Sequence, residues 1–161
     1  MSLSPVASKK RSAEILLIED NRGDAVLAAR AFREAHVPTH MSLAASAEEA
    51  LGMLRHEDGY EACAPPDLIL LDLNLMRMHG HDFLKIVKAD ARLRHIPVVV
   101  LSSSRALHDV IASYDGYASG YIVKPLGLEP YRELVTAVEQ FFFRQATLPD
   151  AADLEPNGGL L

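Results

Sequence analysis

Five short apolar runs recur along the chain, each followed by a longer stretch of mixed character. The runs are Ile15 to Ile18, a weaker one from Met41 to Ala45, Leu68 to Leu71, Val98 to Leu101, and Tyr121 to Val123. Three of them are apolar on both strand faces, the pattern of strands buried between helices in a parallel sheet. Between the runs the spacing turns helical. Ala28, Phe32 and Ala35 fall at i, i+4 and i+7, with Asp24 placed to cap or charge the start of that helix. Ser46 followed three residues later by Glu49 is a capping box, predicting a helix towards Arg55 that Asp58 and Gly59 end. Tyr131, Leu134, Val135, Val138 and Phe142 form the core-facing stripe of a last helix. The order is (βα)₅ and the fold class α/β.

At 161 residues the chain is expected to hold one domain and no separate output module, since domains run to roughly 100–200 residues. Hydrophobic residues at 49% and charged residues at 24% argue against a disordered or fibrous chain. The formal charge of −6 predicts no nucleic-acid partner, because a phosphate backbone needs clustered Lys and Arg, and Lys9, Lys10 and Arg11 make too short a run. No apolar stretch approaches the ~20 residues of a membrane span, so no membrane contact and a cytoplasmic location are expected. The single cysteine, Cys63, has no internal disulfide partner and reads as a small apolar residue near a loop. Residues 1–13 and 146–161 read as solvated tails, the second on the strength of Asp150, Asp153, Glu155 and the Gly158–Gly159 pair, leaving a domain over 14–145.

Polar residues follow the apolar runs directly: Glu19 and Asp20 after the first, Asp72 after the third, Ser102 after the fourth, Lys124 after the fifth. Open α/β sheets bind ligands beyond the carboxyl ends of their strands, so these side chains are expected to converge. Three close carboxylates repel one another and call for a cation. An all-oxygen donor set suits Mg²⁺, and no His or Cys cluster with zinc spacing competes. An ionised Asp beside such a metal is a nucleophile for a phosphoryl group, which makes Asp72 the candidate acceptor. Lys124 and Ser102 would bind the phosphoryl oxygens, one by its charge and one by its hydroxyl.

On these residues the chain resembles the receiver domain of two-component response regulators over about 14–145. The resemblance is carried by Ile-Glu-Asp-Asn at 18–21, Leu-Leu-Asp-Leu-Asn-Leu at 70–75, Gly80, Pro-Val-Val-Val-Leu-Ser-Ser-Ser at 97–104 and Tyr-Ile-Val-Lys-Pro at 121–125. It implies a flavodoxin-like, doubly wound five-stranded sheet of order 2-1-3-4-5. Asp72 is then the residue that takes a phosphoryl group from the phosphohistidine of a sensor histidine kinase. The implied Mg²⁺, with Mn²⁺ as substitute, is held by Asp20, Asp72 and the backbone carbonyl of Asn74, with Glu19 acting partly through water. Lys124 binds the phosphoryl group, and the Lys124–Pro125 bond is expected to be cis. Ser102 and Tyr121 form a switch pair, and Asn74 and Ser104 tune how long the phosphoryl group lasts. The chain departs from the common family pattern at Ser102, where Thr is usual, at Met76, where Pro is usual and whose replacement should loosen the loop, and at His79, where Asp often stands.

A narrower likeness is to single-domain receivers paired with bacterial phytochromes, through Asn-Arg-Gly-Asp-Ala at 21–25, Ser113-Tyr114, Phe141-Phe142-Phe143 and Leu148-Pro149. Phe141 and Phe143 lie off the stripe of the last helix, so at least one should be exposed. Receivers of this kind pair through the fourth helix, fifth strand and fifth helix, which implies a homodimer through that face and the C-terminal arm, with Tyr121 close to it. His79 and His81 read as exposed loop residues that could tune phosphorylation by their charge.

The resemblance implies a phosphoacceptor that catalyses only its own phosphotransfer and dephosphorylation, not a turnover enzyme. A phosphatase of the haloacid-dehalogenase type would need a second acid two residues past the nucleophile, where Asn74 stands. A pseudo-receiver that only scaffolds usually lacks an acid or the lysine, and here Glu19, Asp20, Asp72, Ser102 and Lys124 are all present.

Overall fold

In a computed structural model, which describes residues 12–150, five strands alternate with five helices. The strands are β1 (Ala13–Ile18), β2 (Thr39–Ala44), β3 (Leu68–Leu71), β4 (Val98–Ser102) and β5 (Gly120–Val123). The helices are α1 (Arg22–Arg33), α2 (Ala47–Leu54), α3 (Gly80–Ala89), α4 (Leu107–Asp115) and α5 (Leu128–Val138), and a π-helical turn, Glu139–Gln145, continues α5. All neighbouring strands pair in parallel in the order β2-β1-β3-β4-β5. This is the expected flavodoxin-like sheet, and its order reverses between β1 and β3. The clusters at Lys9–Arg11 and Gly158–Gly159 lie outside the described residues, as do Asp153 and Glu155.

Strands β3 and β4 are buried throughout and β1 nearly so, because each has neighbours on both sides and helices on both faces. On one face α1 and α5 cover Ile15, Leu17, Leu68, Leu70, Val99 and Leu101. On the other, α2 and α3 cover Leu16, Ile18, Ile69, Leu71, Val98 and Val100. The weaker β2 begins at Thr39, two residues earlier than its apolar pattern suggested, and is an edge strand with partly exposed side chains.

Local signals account for the helix starts. Ser46 Oγ accepts the Glu49 N–H at 3.1 Å, and Glu49 Oε2 returns to the Ala45 N–H at 2.9 Å, closing the capping box one residue further out than its simplest form. Helix α1 is capped by Asn21, whose Oδ1 accepts the Asp24 N–H at 3.0 Å, which leaves the Asp24 carboxylate for another partner. Helix α3 is capped by His79, whose Nδ1 accepts the His81 N–H at 3.2 Å. His81 Nε2 lies 3.1 Å from Ser113 Oγ on α4. Both histidines are half-buried and structurally engaged, which corrects their reading as exposed loop residues.

Helix α4 differs from the others in what seats it. Its buried residue is Ser113, whereas Leu107, Ile111 and Tyr114, on one face at i, i+4 and i+7, are at least half exposed. The stripe of α5 is buried at Tyr131, Leu134, Val135 and Val138, with Phe142 and Phe143 packed against that cluster and Phe141 59% exposed. The buried Glu139 ties the π-helical turn to the α1–β2 loop: Oε2 accepts the His36 N–H at 3.0 Å and Oε1 the Arg144 guanidinium at 3.2 Å.

Candidate functional site

The sheet's own hydrogen bonds run past the strand ends and fix the polar residues there. Glu19 N–H bonds Ala44 O at 3.0 Å, Asp72 N–H bonds Ile18 O at 3.0 Å, and Lys124 N–H bonds Ser102 O at 2.9 Å. The backbone of each group is therefore as rigid as the core strand that carries it. A close approach behind Asp72 adds to this. Gly80 N–H bonds Leu73 O at 2.9 Å, and a Cβ at Gly80 would stand 2.6 Å from Leu73 Cα and 2.7 Å from Asp72 O. Only glycine lets α3 start this close to the strand end.

Four of the expected residues meet. Oxygens of Glu19, Asp20 and Asp72 lie within 4.8 Å of one another. Lys124 Nζ sits 2.7 Å from Glu19 Oε2 and 3.3 Å from Asp72 Oδ2, and its side chain is 8% exposed. Burial alone would push this ammonium's pKa down, but hydrogen bonds to Glu19 and Asp24 and the charges of Asp72 and Glu19 raise it, so the lysine is charged throughout the neutral range. Burial also pushes the Glu19 carboxyl up to about 7, opposed by the close contact with the Lys124 ammonium, with the Asp72 charge adding to the rise and the Asn21 N–H opposing it.

These carboxylates outnumber the one ammonium among them, and their donor set is all oxygen. Glu19 Oε2 is fully buried, and its contact with Lys124 leaves it without a well-directed hydrogen bond. An under-satisfied buried carboxylate oxygen beside two further carboxylates fits a hard divalent cation. The chain therefore carries an acidic cluster of the kind that binds a divalent metal.

The β3–α3 loop is tied to the cluster by its backbone. Asn74 N–H bonds Asp72 Oδ1 at 3.2 Å, and Met76 N–H bonds Asp20 Oδ2 at 3.1 Å. Met76 was expected to loosen the loop by replacing Pro. Its N–H instead fastens the loop to Asp20, a bond Pro has no donor to make.

Ser102 and Tyr121 meet through Ser104 rather than directly. Ser102 Oγ, at a fully buried residue, accepts the Ser104 N–H at 3.2 Å, and Tyr121 OH donates to Ser104 O at 2.8 Å. Ser104 Oγ turns away to donate to Asp109 Oδ2 at 2.5 Å. That bond holds the Asp109 carboxyl below its usual range, helped by the nearby His108, His81 and His79. Ser113 Oγ donates to Asp109 O at 2.7 Å, so a continuous set of hydrogen bonds joins Tyr121, the β4–α4 loop, α4 and His81.

The expected cis bond at Lys124–Pro125 is absent: no cis peptide bond occurs among the described residues. The trans form is favoured by about 0.5–1 kcal/mol for X–Pro bonds. Lys124 already reaches both buried carboxylates with the bond in that form. One residue escaped the sequence reading: Asp24, whose Oδ2 lies 3.0 Å from Lys124 Nζ. Its position in a first helical turn pointed to a cap, and no local spacing signals a partner 100 positions away.

A family model described as the response regulator receiver domain matches residues 15–139. The response regulator Rcp1 of Synechocystis sp. is 34% identical over 137 residues, covering 85% of this chain and 93% of Rcp1. The solved structure of the phosphorylated cyanobacterial phytochrome response regulator RcpA aligns with a TM-score of 0.82 at 38% identity, over 87% of this chain and all of that one. The Mn(2+)-bound form of Rcp1 aligns at 0.79 and 33% identity, over 86% of this chain and 99% of the other. With the sheet order, the acidic cluster and the lysine in register, the chain belongs to the response regulator receiver domain family.

Proposed function

We propose that Asp72 accepts a phosphoryl group from the phosphohistidine of a sensor histidine kinase, with Mg²⁺ as the resident cation and Mn²⁺ as its substitute. The observation that carries this reading is the Lys124 ammonium, held 3.3 Å from Asp72 Oδ2 and 2.7 Å from Glu19 Oε2 at the switch point of the sheet. In the transfer an Asp72 carboxylate oxygen forms a bond to phosphorus as the donor's P–N bond breaks. The imidazole nitrogen keeps the electron pair and takes up a proton. Lys124 neutralises the charge on the phosphoryl oxygens, and Glu19, Asp20, Asp72 and the Asn74 carbonyl hold the cation, which supplies further charge neutralisation when bound.

The outward signal then runs through Ser102 and Tyr121. As the Ser102 hydroxyl turns to a phosphoryl oxygen, it gives up the N–H of Ser104, the residue whose carbonyl anchors Tyr121. Asn74 and Ser104 set the lifetime of the phosphoryl group by controlling water access. With Asn74 two residues past Asp72 there is no second acid for turnover, so the protein acts as an acceptor and not as a phosphatase.

The exposed stripe Leu107, Ile111 and Tyr114 and the exposed Phe141 support a homodimer through α4, β5 and α5, with the half-buried Tyr121 and Phe143 and the C-terminal arm taken as neighbours of that face. The description of RcpA as a phytochrome response regulator favours a photoreceptor kinase as donor. Among the described residues no helix is long and apolar enough to cross a membrane, and we place the protein in the cytoplasm.

Incubation with acetyl phosphate and Mg²⁺ tests the reading by intact mass. Wild type should gain one phosphoryl group that hydrolyses slowly, and Asp72→Asn none. Failure of wild type to gain it, with the fold intact, would leave a scaffold.

A further inference from the structure

An ammonium has three N–H donors, and Lys124 faces three carboxylates: Glu19 Oε2 at 2.7 Å, Asp24 Oδ2 at 3.0 Å and Asp72 Oδ2 at 3.3 Å. Two of those donors are hydrogen-bonded, to Asp24 and Asp72, and the ammonium is also ion-paired with Glu19 Oε2, so all three carboxylates hold it before any phosphoryl group arrives. To bond a phosphoryl oxygen, Lys124 must release one partner. Glu19 is not the natural one to release, since its side chain is 1% exposed and its other oxygen is fixed by the Asn21 N–H at 3.0 Å. Asp72 is the acceptor itself. Asp24 is different: its side chain is 36% exposed, it stands at the solvent edge of the site on the first turn of α1, and water can take over its solvation once the lysine leaves.

We propose that Asp24 is a positioning residue that competes with the phosphoryl group for Lys124 and so acts as a brake on phosphorylation. The inference rests on Asp72 being the phosphoacceptor. Two effects act in the same direction. In the unphosphorylated protein the Asp24–Lys124 pair stabilises the starting state. In the phosphorylated protein a carboxylate near the new dianionic group repels it. The aspartate therefore opposes both acceptance and retention of the group. With acetyl phosphate the step forms an O–P bond at Asp72 and breaks the P–O bond to the acetyl group, which departs as acetate with the electron pair. Asp24 takes no part in the bonds that change. It acts through the position and availability of Lys124.

The test compares wild type, Asp24→Asn and Asp24→Glu by intact mass during incubation with acetyl phosphate and Mg²⁺, at low and high salt. Asp24→Asn should be phosphorylated about fivefold faster, as expected for loss of a partly exposed pair worth about 1 kcal/mol. Because such a pair is screened by ions, the advantage should shrink at 1 M salt, and Asp24→Glu should restore most of the salt dependence. A purely structural role for Asp24 predicts no such salt dependence. A second readout needs neither metal nor phosphoryl donor: urea unfolding of wild type, Asp24→Asn, Lys124→Met and the double variant in EDTA should give a favourable coupling between the two side chains. If Asp24→Asn does not fold, Asp24→Ser takes its place, since the cap uses the backbone N–H of residue 24 and not its carboxylate. A wild-type protein that is phosphorylated while the Asn variant reacts at the same rate or more slowly overturns the brake. Coupling indistinguishable from zero does the same. A wild-type protein that takes up nothing overturns the phosphoacceptor reading instead, and the brake with it.

Discussion

Glu19 should make the metal-free fold lose stability as pH rises, the reverse of an ordinary paired carboxylate. Its carboxyl is pushed up to about 7 in the folded protein against an ordinary 4.5, so the folded state holds a proton that the unfolded chain has already released. A carboxyl raised in this way contributes stability that is complete below pH 4.5 and lost as pH climbs through about 7. The side chain is 1% exposed, so screening by solvent is slight. At about 1.4 kcal/mol per pH unit, the contribution falls by about 2–3 kcal/mol between pH 5 and pH 8. His95 acts in the opposite sense, because burial holds its imidazole below the ordinary 6.5, so the Glu19 share has to be isolated by difference. The assay is urea unfolding of wild type and Glu19→Gln in EDTA across that range. The glutamine variant should gain on wild type by about 2–3 kcal/mol from pH 5 to pH 8. Millimolar Mg²⁺ should narrow the gap at pH 8, since a cation on the carboxylate replaces the missing proton. A difference that stays constant within about 0.5 kcal/mol, or that falls with rising pH, would refute burial as the dominant influence on Glu19.

Three further outcomes follow from the packing. Gly80→Ala forces a methyl against the backbone of Leu73 and Asp72, so it should cost about 1–3 kcal/mol in urea unfolding and also slow phosphoryl uptake, since the displaced strand end carries the proposed acceptor, Asp72. Ser113→Ala removes the hydroxyl between His81 and Asp109, which should cost about 1 kcal/mol and speed amide exchange in α4 more than in α3. Phe141→Ser should weaken self-association in sedimentation equilibrium while leaving the melting temperature nearly unchanged, because that ring is exposed in the single chain.

The sheet was readable because β1, β3 and β4 are buried on both faces, and burial on both faces writes an unbroken apolar run. The weaker reading of β2 has the matching cause: an edge strand keeps polar residues, and Thr39 and His40 do not extend the apolar run that begins at Met41. The convergence of Glu19, Asp20, Asp72 and Lys124 followed from their places at strand ends. What stayed hidden were contacts that no local spacing encodes. Asp24 reaches a lysine across the sheet, and His79 caps a helix with a ring nitrogen where Ser, Thr, Asp or Asn are usual. Past Val138 the helix widens into a π turn, so a stripe projected at 3.6 residues per turn could place Phe142 inward but did not foresee that Phe143 packs inward as well.

The seating of α4 on Ser113 carries a consequence for how news of phosphorylation leaves the molecule. Hydroxyl and imidazole contacts can be exchanged for water at little net loss, whereas sliding a helix seated on leucines would tear open the hydrophobic interior. On the proposed switch, a small rearrangement at Ser104 would shift the whole α4 surface without loosening the sheet beneath it, changing the outward face while the interior stays as it was.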